Sequence, residues 1–397
     1  MEQRPMPQKA LVLAGGGARG SYQVGVWRAL MELDWHPQII TGTSVGSLNG
    51  AMFVLDLYEV ARDMWLTIRS KDVMELPEDN ADLSALHSFL RRVVKAGGMD
   101  VSPLEEIVER VLDEDALRKA EIRFGLVTVE QRGLKPRELP LEQIPEGRVK
   151  DYLMASAACF PALQARDIDG VKFLDGGYSD NMPTGLAKDM GAEELVCVDL
   201  EGVGITRPNL TGLPTTLIRS YWDLGDILHF DPDTARRNIE LGYYDTLRAF
   251  GRVRGCAFAV DNSAESSADA AAFRQTFEAV QKRVREKYPV TLTADAALLL
   301  ARMKDADLAP LEAAAEDAGV DPARYYTTHT LCDAFLARCD QMRMQSFAPL
   351  FEGSADAAQA ARAALVPNTF LQALVWYTLT TPDAGAILPE VTDHEGV

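Results

Sequence analysis

The sequence predicts an α/β fold with a mainly parallel sheet, followed by a helical carboxy-terminal region. Three observations carry this. Two apolar, strand-length runs near the amino terminus each lead into a glycine-bearing turn and then a helix-length stretch. Helix-like and strand-like segments then alternate, as they do where crossovers join parallel strands. Beyond about residue 260 strand signals thin out and alanine-rich stretches take over. At 397 residues the chain is too long for one compact core, and the expected division is 1–260 and 261–397.

Ala10-Leu11-Val12-Leu13-Ala14 is a continuous apolar run, as a strand buried on both faces requires. Gly15-Gly16-Gly17-Ala18-Arg19-Gly20 follows, and Tyr22, Val26, Ala29, Leu30 and Leu33 then recur at helical spacing. The loop satisfies Gly-x-Gly-x-x-Gly, so a dinucleotide site competes for it. Such sites want an acidic residue about twenty positions on, at the end of the second strand; here that strand ends in Thr41-Gly42-Thr43-Ser44. The other reading has the loop's backbone N–H groups, at a helix amino terminus, form an oxyanion hole facing Ser44. Arg19 can tie the loop down, bind an anionic group, or stand as a solvated helix-start side chain.

The second run, Ile39-Ile40-Thr41, enters Gly42-Thr43-Ser44-Val45-Gly46, and an apolar, helix-length stretch follows to Leu55. Strand, turn and helix fall where a Gly-x-Ser-x-Gly nucleophile elbow needs them, with the serine hydroxyl pushed out at the sheet edge. A Gly/Ser-rich turn without chemistry is the competing reading.

Between residues 56 and 100 Leu86, Phe89, Leu90, Val93 and Val94 form an amphipathic stripe that suits ordinary packing better than a lid. Ser102-Pro103-Leu104-Glu105 reads as a capping box opening a helix to about Arg118, and residues 124–129 read as a strand. A helix over residues 151–159 and a strand over 171–174 precede Asp175-Gly176-Gly177, a tight turn that can present the carboxylate at a sheet edge. A helix from Pro183 to Gly191, a strand over 194–200 and a long loop over 202–216 follow. Asp261 to Ser267 marks the boundary. Residues 270–288, 294–305, 333–345 and 355–365 read as helices, with Trp376 and Tyr377 as core aromatics.

A serine nucleophile needs a base, usually histidine. His36 lies about five strand residues of ~3.3 Å each from Ser44, at the opposite sheet edge. His394 is in the tail, and His87, His229 and His329 sit beside no strand end or glycine turn. Asp175 is the better candidate. A carboxylate with a pKa near ~3.9 is a weak base, so burial should raise it.

With 59 acidic and 40 basic residues the net charge is −19, which opposes nucleic acid and anionic bilayers. Five scattered cysteines without a Cys-x-x-Cys argue against a disulfide frame or structural zinc. The start of the chain lacks a secretory-type apolar run and no stretch reaches the ~20 apolar residues of a span, so a cytoplasmic protein is expected.

Gly15-Gly16-Gly17-Ala18-Arg19-Gly20, Gly42-Thr43-Ser44-Val45-Gly46 and Asp175-Gly176-Gly177, in that order, resemble the patatin-like phospholipases. Cys159-Phe160-Pro161 and Asn181-Met182-Pro183 resemble segments flanking the aspartate in bacterial members, and the likeness covers about residues 8–200. The resemblance implies a three-layer α/β/α fold, a Ser44–Asp175 dyad and an oxyanion hole from the backbone of Gly15, Gly16 and Gly17. It also implies hydrolysis of fatty acyl esters in phospholipids, lysophospholipids or neutral lipids without a metal. The expected protein is then a cofactor-free serine acyl hydrolase that makes transient peripheral contact with membranes and forms an acyl-Ser44 intermediate. Acyl transfer at the same site, nucleotide binding by the glycine loop and a non-catalytic scaffold are the alternatives. Residues after 260 lie outside the likeness.

Overall fold

The computed structural model describes residues 7–74, 93, 95, 97–288, 300 and 303–381. The stripe expected at Leu86 to Val94 falls outside them except for Val93, as do His87, His394 and most of the helix expected over 294–305. The chain divides into two compact units, Met1–Ala249 and Phe250–Val397, a division that precedes the composition shift at Asp261.

The first unit is built on an eight-stranded sheet of β1 (Lys9–Leu13), β2 (Ile39–Thr43), β3 (Arg123–Glu130), β4 (Lys135–Pro140), β5 (Arg166–Ile168), β6 (Val171–Asp175), β7 (Glu194–Asp199) and β8 (Thr215–Arg219). Their order is β5-β6-β3-β2-β1-β7-β8, with β4 paired to β3 off that path. The run β3-β2-β1-β7-β8 is parallel throughout, while β4, β5 and β6 join antiparallel. Strands β1 and β7 read as largely apolar runs because they are buried inside the sheet. Ala10, Val12 and Ala14 point to one face and cluster with Leu186 and Ala187 of a helix at Thr184–Asp189. The intervening Leu13 points to the other, where with Ile40 and Phe124 it approaches Gly50 of the helix Val45–Val54. The layers are therefore helix, sheet, helix.

Several elements of this unit differ from the sequence expectation, among them the unforeseen strand Arg166–Ile168 and helix Pro232–Ala249. The helix opening at Ser102 ends at Val111, and Asp113 starts a second one over Glu114–Lys119 by accepting from the Ala116 N–H at 2.9 Å. No capping box forms there, because Val101 is the N-cap and Ser102 already lies inside the helix, while Glu105 makes a two-pronged pair with Arg166 at 2.8 and 3.0 Å. The hairpin strand β4 is half charged, carries two prolines and is only partly buried, and β8 is a largely exposed edge strand. Neither carries the apolar run that marks a buried strand.

The second unit is mainly helical. Its longest helix spans Ala264–Lys287, and others follow at Ala309–Asp317, Thr328–Arg338, Gln341–Gln345, Ala348–Glu352, Ala357–Leu365 and Pro367–Thr380. It also holds a small sheet of Val253–Arg254, Ala259–Asp261 and Tyr325–Tyr326, strands too short for periodicity to betray. Tyr377 packs its ring 4.9 Å from that of Phe351.

Candidate active site

Ser44 sits between β2 and the helix Val45–Val54 with φ 55° and ψ −129°. A side-chain-bearing residue held in that region stores strain unless its surroundings fix it. Those surroundings are visible. The Ser44 N–H donates to Ser156 Oγ at 2.9 Å, and that hydroxyl donates to the Val127 carbonyl at 2.7 Å. The Ser44 carbonyl accepts from the N–H and the hydroxyl of Ser47 at 2.8 and 2.7 Å. Gly46 lets the helix start press against the end of β1, where a Cβ would stand 2.2 Å from the Leu13 carbonyl oxygen. The turn therefore aims the Ser44 side chain away from the sheet at the amino-terminal end of a ten-residue helix, where partial positive charge favours a developing anion.

Sheet register brings Asp175 to the same place. Along β3, Val127 is opposite Thr43 of β2 and the next residue, Thr128, is opposite Asp175 of β6. A strand has two hydrogen-bonding edges, and β4 occupies one of them from Gly125 to Glu130. β2 and β6 thus share the other edge end to end, so the chain leaves at Ser44 where it arrives at Asp175. Ser44 and Asp175 line the same cavity, with the Ser44 hydroxyl near a carboxylate that accepts from the Gly177 N–H at 2.8 Å. Burial pushes the carboxyl up from 3.8 to about 6, while the hydroxyl and the amide pull it back only in part.

The glycine loop closes a third side. β1 and β2 are parallel with Leu13 opposite Gly42, so residues 14–17 emerge level with Ser44. Gly17 takes φ 54°, and a Cβ there would meet the Ile227 carbonyl oxygen at 2.0 Å. The three glycines are not equivalent. The Gly15 N–H donates to the Asn181 carbonyl at 3.2 Å, whereas Gly16 and Gly17 line the same cavity as Ser44 and Asp175. Among the described residues neither the Gly16 nor the Gly17 N–H donates within the protein. Arg19 extends across the loop, donating to the carbonyls of Gly225 (2.7 Å), Leu200 (3.1 Å) and Glu201 (2.8 Å).

Several positioning residues escaped the sequence reading. Gln23 donates to the Ala14 carbonyl and Asn49 to the Gly20 carbonyl, at 2.8 and 2.9 Å, so both ends of the glycine loop are pinned by buried amides. Asn49 also donates to Gln23 at 2.9 Å and accepts from the Trp65 indole at 3.2 Å. The available signal was Asn49 itself, an amide inside the apolar run after Ser44. Asn181 lines the cavity and donates to the Gly15 carbonyl at 3.2 Å. Ser156 carried no signal, being one serine among small residues at the end of the helix Val149–Ser156. Replacing it with alanine would strand two buried backbone groups, so Ser156→Ala should cost about 1–3 kcal/mol in urea unfolding. It should also lower kcat with KM little changed. Wild-type values for both would remove Ser156 from the elbow's support.

The cavity over this floor measures about 120 Å³ and its walls are apolar, with Met52, Trp65, Ile68, Leu104, Val108 and Phe230 among them. None of the described histidines lines it. His36 is exposed beside Asp34 at 2.9 Å. Among the described residues no group of three or more His, Cys, Asp or Glu is placed to hold a metal ion.

Residues 11–188 match the family model described as patatin-like phospholipase, so a domain of that type is present. The lysophospholipase NTE1 of Coccidioides immitis is 26% identical over 269 residues, which make up 62% of this chain and 15% of that protein. Patatin-like phospholipase domain-containing protein 7 of Rattus norvegicus is 28% identical over 198 residues, 48% of this chain and 13% of that protein. The chain thus spans well under a fifth of the length of these relatives. A crystal structure of VipD from Legionella pneumophila aligns with 94% of this chain and 91% of its own at 13% identity and a TM-score of 0.39.

Proposed function

We propose that the first unit is a patatin-like lipid acyl hydrolase in which Ser44 is the nucleophile and Asp175 the base. The observation that carries this is the placement of Ser44, at its strained strand-to-helix turn, in one apolar cavity with the buried Asp175 carboxyl. A carboxyl near about 6 is ionised at neutral pH yet basic enough to share a proton in the transition state. Asp175 takes the hydroxyl proton as Ser44 Oγ bonds to the ester carbonyl carbon. The Gly16 and Gly17 N–H groups hold the resulting oxyanion. Gly15 supports them through Asn181, and Arg19 supports them through its three carbonyl partners. The proton then passes to the departing alcohol oxygen as the tetrahedral intermediate collapses to acyl-Ser44. Water, deprotonated by the same carboxylate, releases the fatty acid.

The apolar walls suit an acyl chain, and among the described residues the lining holds no lysine or arginine for a nucleotide's phosphates, which favours this reading over a dinucleotide site. The test is a lipid panel with chelator present. Lysophosphatidylcholine and phosphatidylcholine should release free fatty acid, and the same protein should take a fluorophosphonate on Ser44. No acid release from any lipid or soluble ester would contradict the proposal, and acyl chain recovered on an added alcohol would make the activity a transferase.

A further inference from the structure

The loop between β7 and β8 carries three exposed aliphatic residues: Val203 at 77%, Ile205 at 56% and Leu210 at 87%. Isolated exposed aliphatics are ordinary, but this loop is docked on the turn that carries Asp175. The Ile205 N–H donates to the Gly177 carbonyl at 2.8 Å, and the Ile205 carbonyl accepts from the Asn181 N–H at 2.7 Å. Arg207 holds the far side through the carbonyl and hydroxyl of Ser179 at 3.0 and 2.8 Å. The backbone is therefore spent inward, and the aliphatic side chains are displayed outward from a fixed frame. Val203 both lines the cavity and is mostly exposed, so the loop forms part of the cavity's rim.

We propose that this loop is a lipid-docking rim that seats the mouth of the cavity on a zwitterionic lipid surface. The proposal rests on the acyl-hydrolase reading. Position argues for a lipid layer over a protein partner, because a protein covering Val203 would obstruct the opening through which an acyl chain must enter. Charge decides the kind of lipid. The chain carries −19 overall, and the loop's one arginine is committed to Ser179 and to Glu138 at 3.3 Å, so anionic headgroups would be repelled rather than recruited. Exposed aliphatics inserting at the headgroup boundary supply the attraction.

The test compares the whole protein with the Ile205→Ser/Leu210→Ser variant, which leaves Val203 and the cavity walls untouched. Flotation with phosphatidylcholine vesicles should show the variant bound at least about tenfold more weakly. Turnover of vesicular phosphatidylcholine should fall in parallel, while turnover of p-nitrophenyl butyrate in solution should stay within about twofold. A second variant, Leu210→Trp, should bind more tightly, with its indole emission shifted to the blue on vesicles. Unchanged flotation by the double variant would overturn the proposal, as would wild-type binding confined to phosphatidylserine-containing vesicles or absent from both. Flotation does not depend on turnover. A protein that binds through the loop but hydrolyses neither substrate would therefore fail the enzymatic reading alone.

Discussion

Ser44→Ala should lower kcat/KM for any ester substrate by at least about 10⁴-fold, since removing a nucleophile removes the covalent route and leaves only what binding and oriented amides contribute. The fold should survive. Alanine keeps the Cβ, and the bonds that hold this strained turn run through the backbone N–H and carbonyl of residue 44, which the substitution leaves in place. The change does remove the hydroxyl that helps stabilise the Asp175 carboxylate, so that carboxyl should titrate higher in the variant. Kinetics with a soluble ester, alongside circular dichroism and thermal unfolding, separates lost chemistry from lost structure. Activity within tenfold of wild type in a folded variant would exclude Ser44 as nucleophile.

Asp175→Asn should cost about 10³–10⁴-fold in kcat, because an amide accepts a hydrogen bond but no proton. In the wild type, kcat/KM should rise as pH increases through about 6, where the carboxyl becomes ionised, and this limb should vanish in the variant. Stability should move the other way. A carboxyl with a folded value above its unfolded one binds its proton more tightly when folded, so its contribution is fully present below about 3.8 and lost as pH rises through about 6. A shift from 3.8 to about 6 corresponds to roughly 3 kcal/mol at neutral pH. The asparagine variant should therefore gain up to that amount at pH 7 and little near pH 4, measured by urea unfolding. Cys159, whose thiol burial pushes up to about 11, stays neutral across this range. Asp180 is also buried and raised to about 6, so the variant keeps a residual pH slope from that group. A variant with full activity, or one less stable at pH 7 than at pH 4 by the wild-type margin, would contradict the role given to Asp175.

The parts of this architecture legible in the sequence were those with local causes. The β1 and β7 strands are largely apolar because they are buried inside the sheet, the Gly-x-Ser-x-Gly turn needs its glycines for close backbone approach, and Asp175-Gly176-Gly177 marks a sheet edge. The alanine-rich helices after residue 264 show the same local logic. What was hidden depends on partners far along the chain. Glu105 looks like half of a capping box, but it pairs with Arg166, sixty-one positions away. Gly15 looks equivalent to Gly16 and Gly17 until the Asn181 carbonyl takes its N–H. Ser156 acquires its place only because β3 and β2 present the Val127 carbonyl and the Ser44 amide together. The meeting of Ser44 with Asp175 is itself a matter of register, since β2 and β6 share one edge of β3, and no motif encodes that pairing.

The most direct measurement is to trap the covalent intermediate. Acid quench during steady-state turnover of a long-chain lysophospholipid, followed by digestion and tandem mass spectrometry, should find the acyl mass on the peptide bearing Ser44. It should accumulate within the first turnover and be absent from Ser44→Ala. Acyl mass on another residue, or sustained hydrolysis with no acylated peptide in a burst-phase quench, would contradict nucleophilic attack by Ser44.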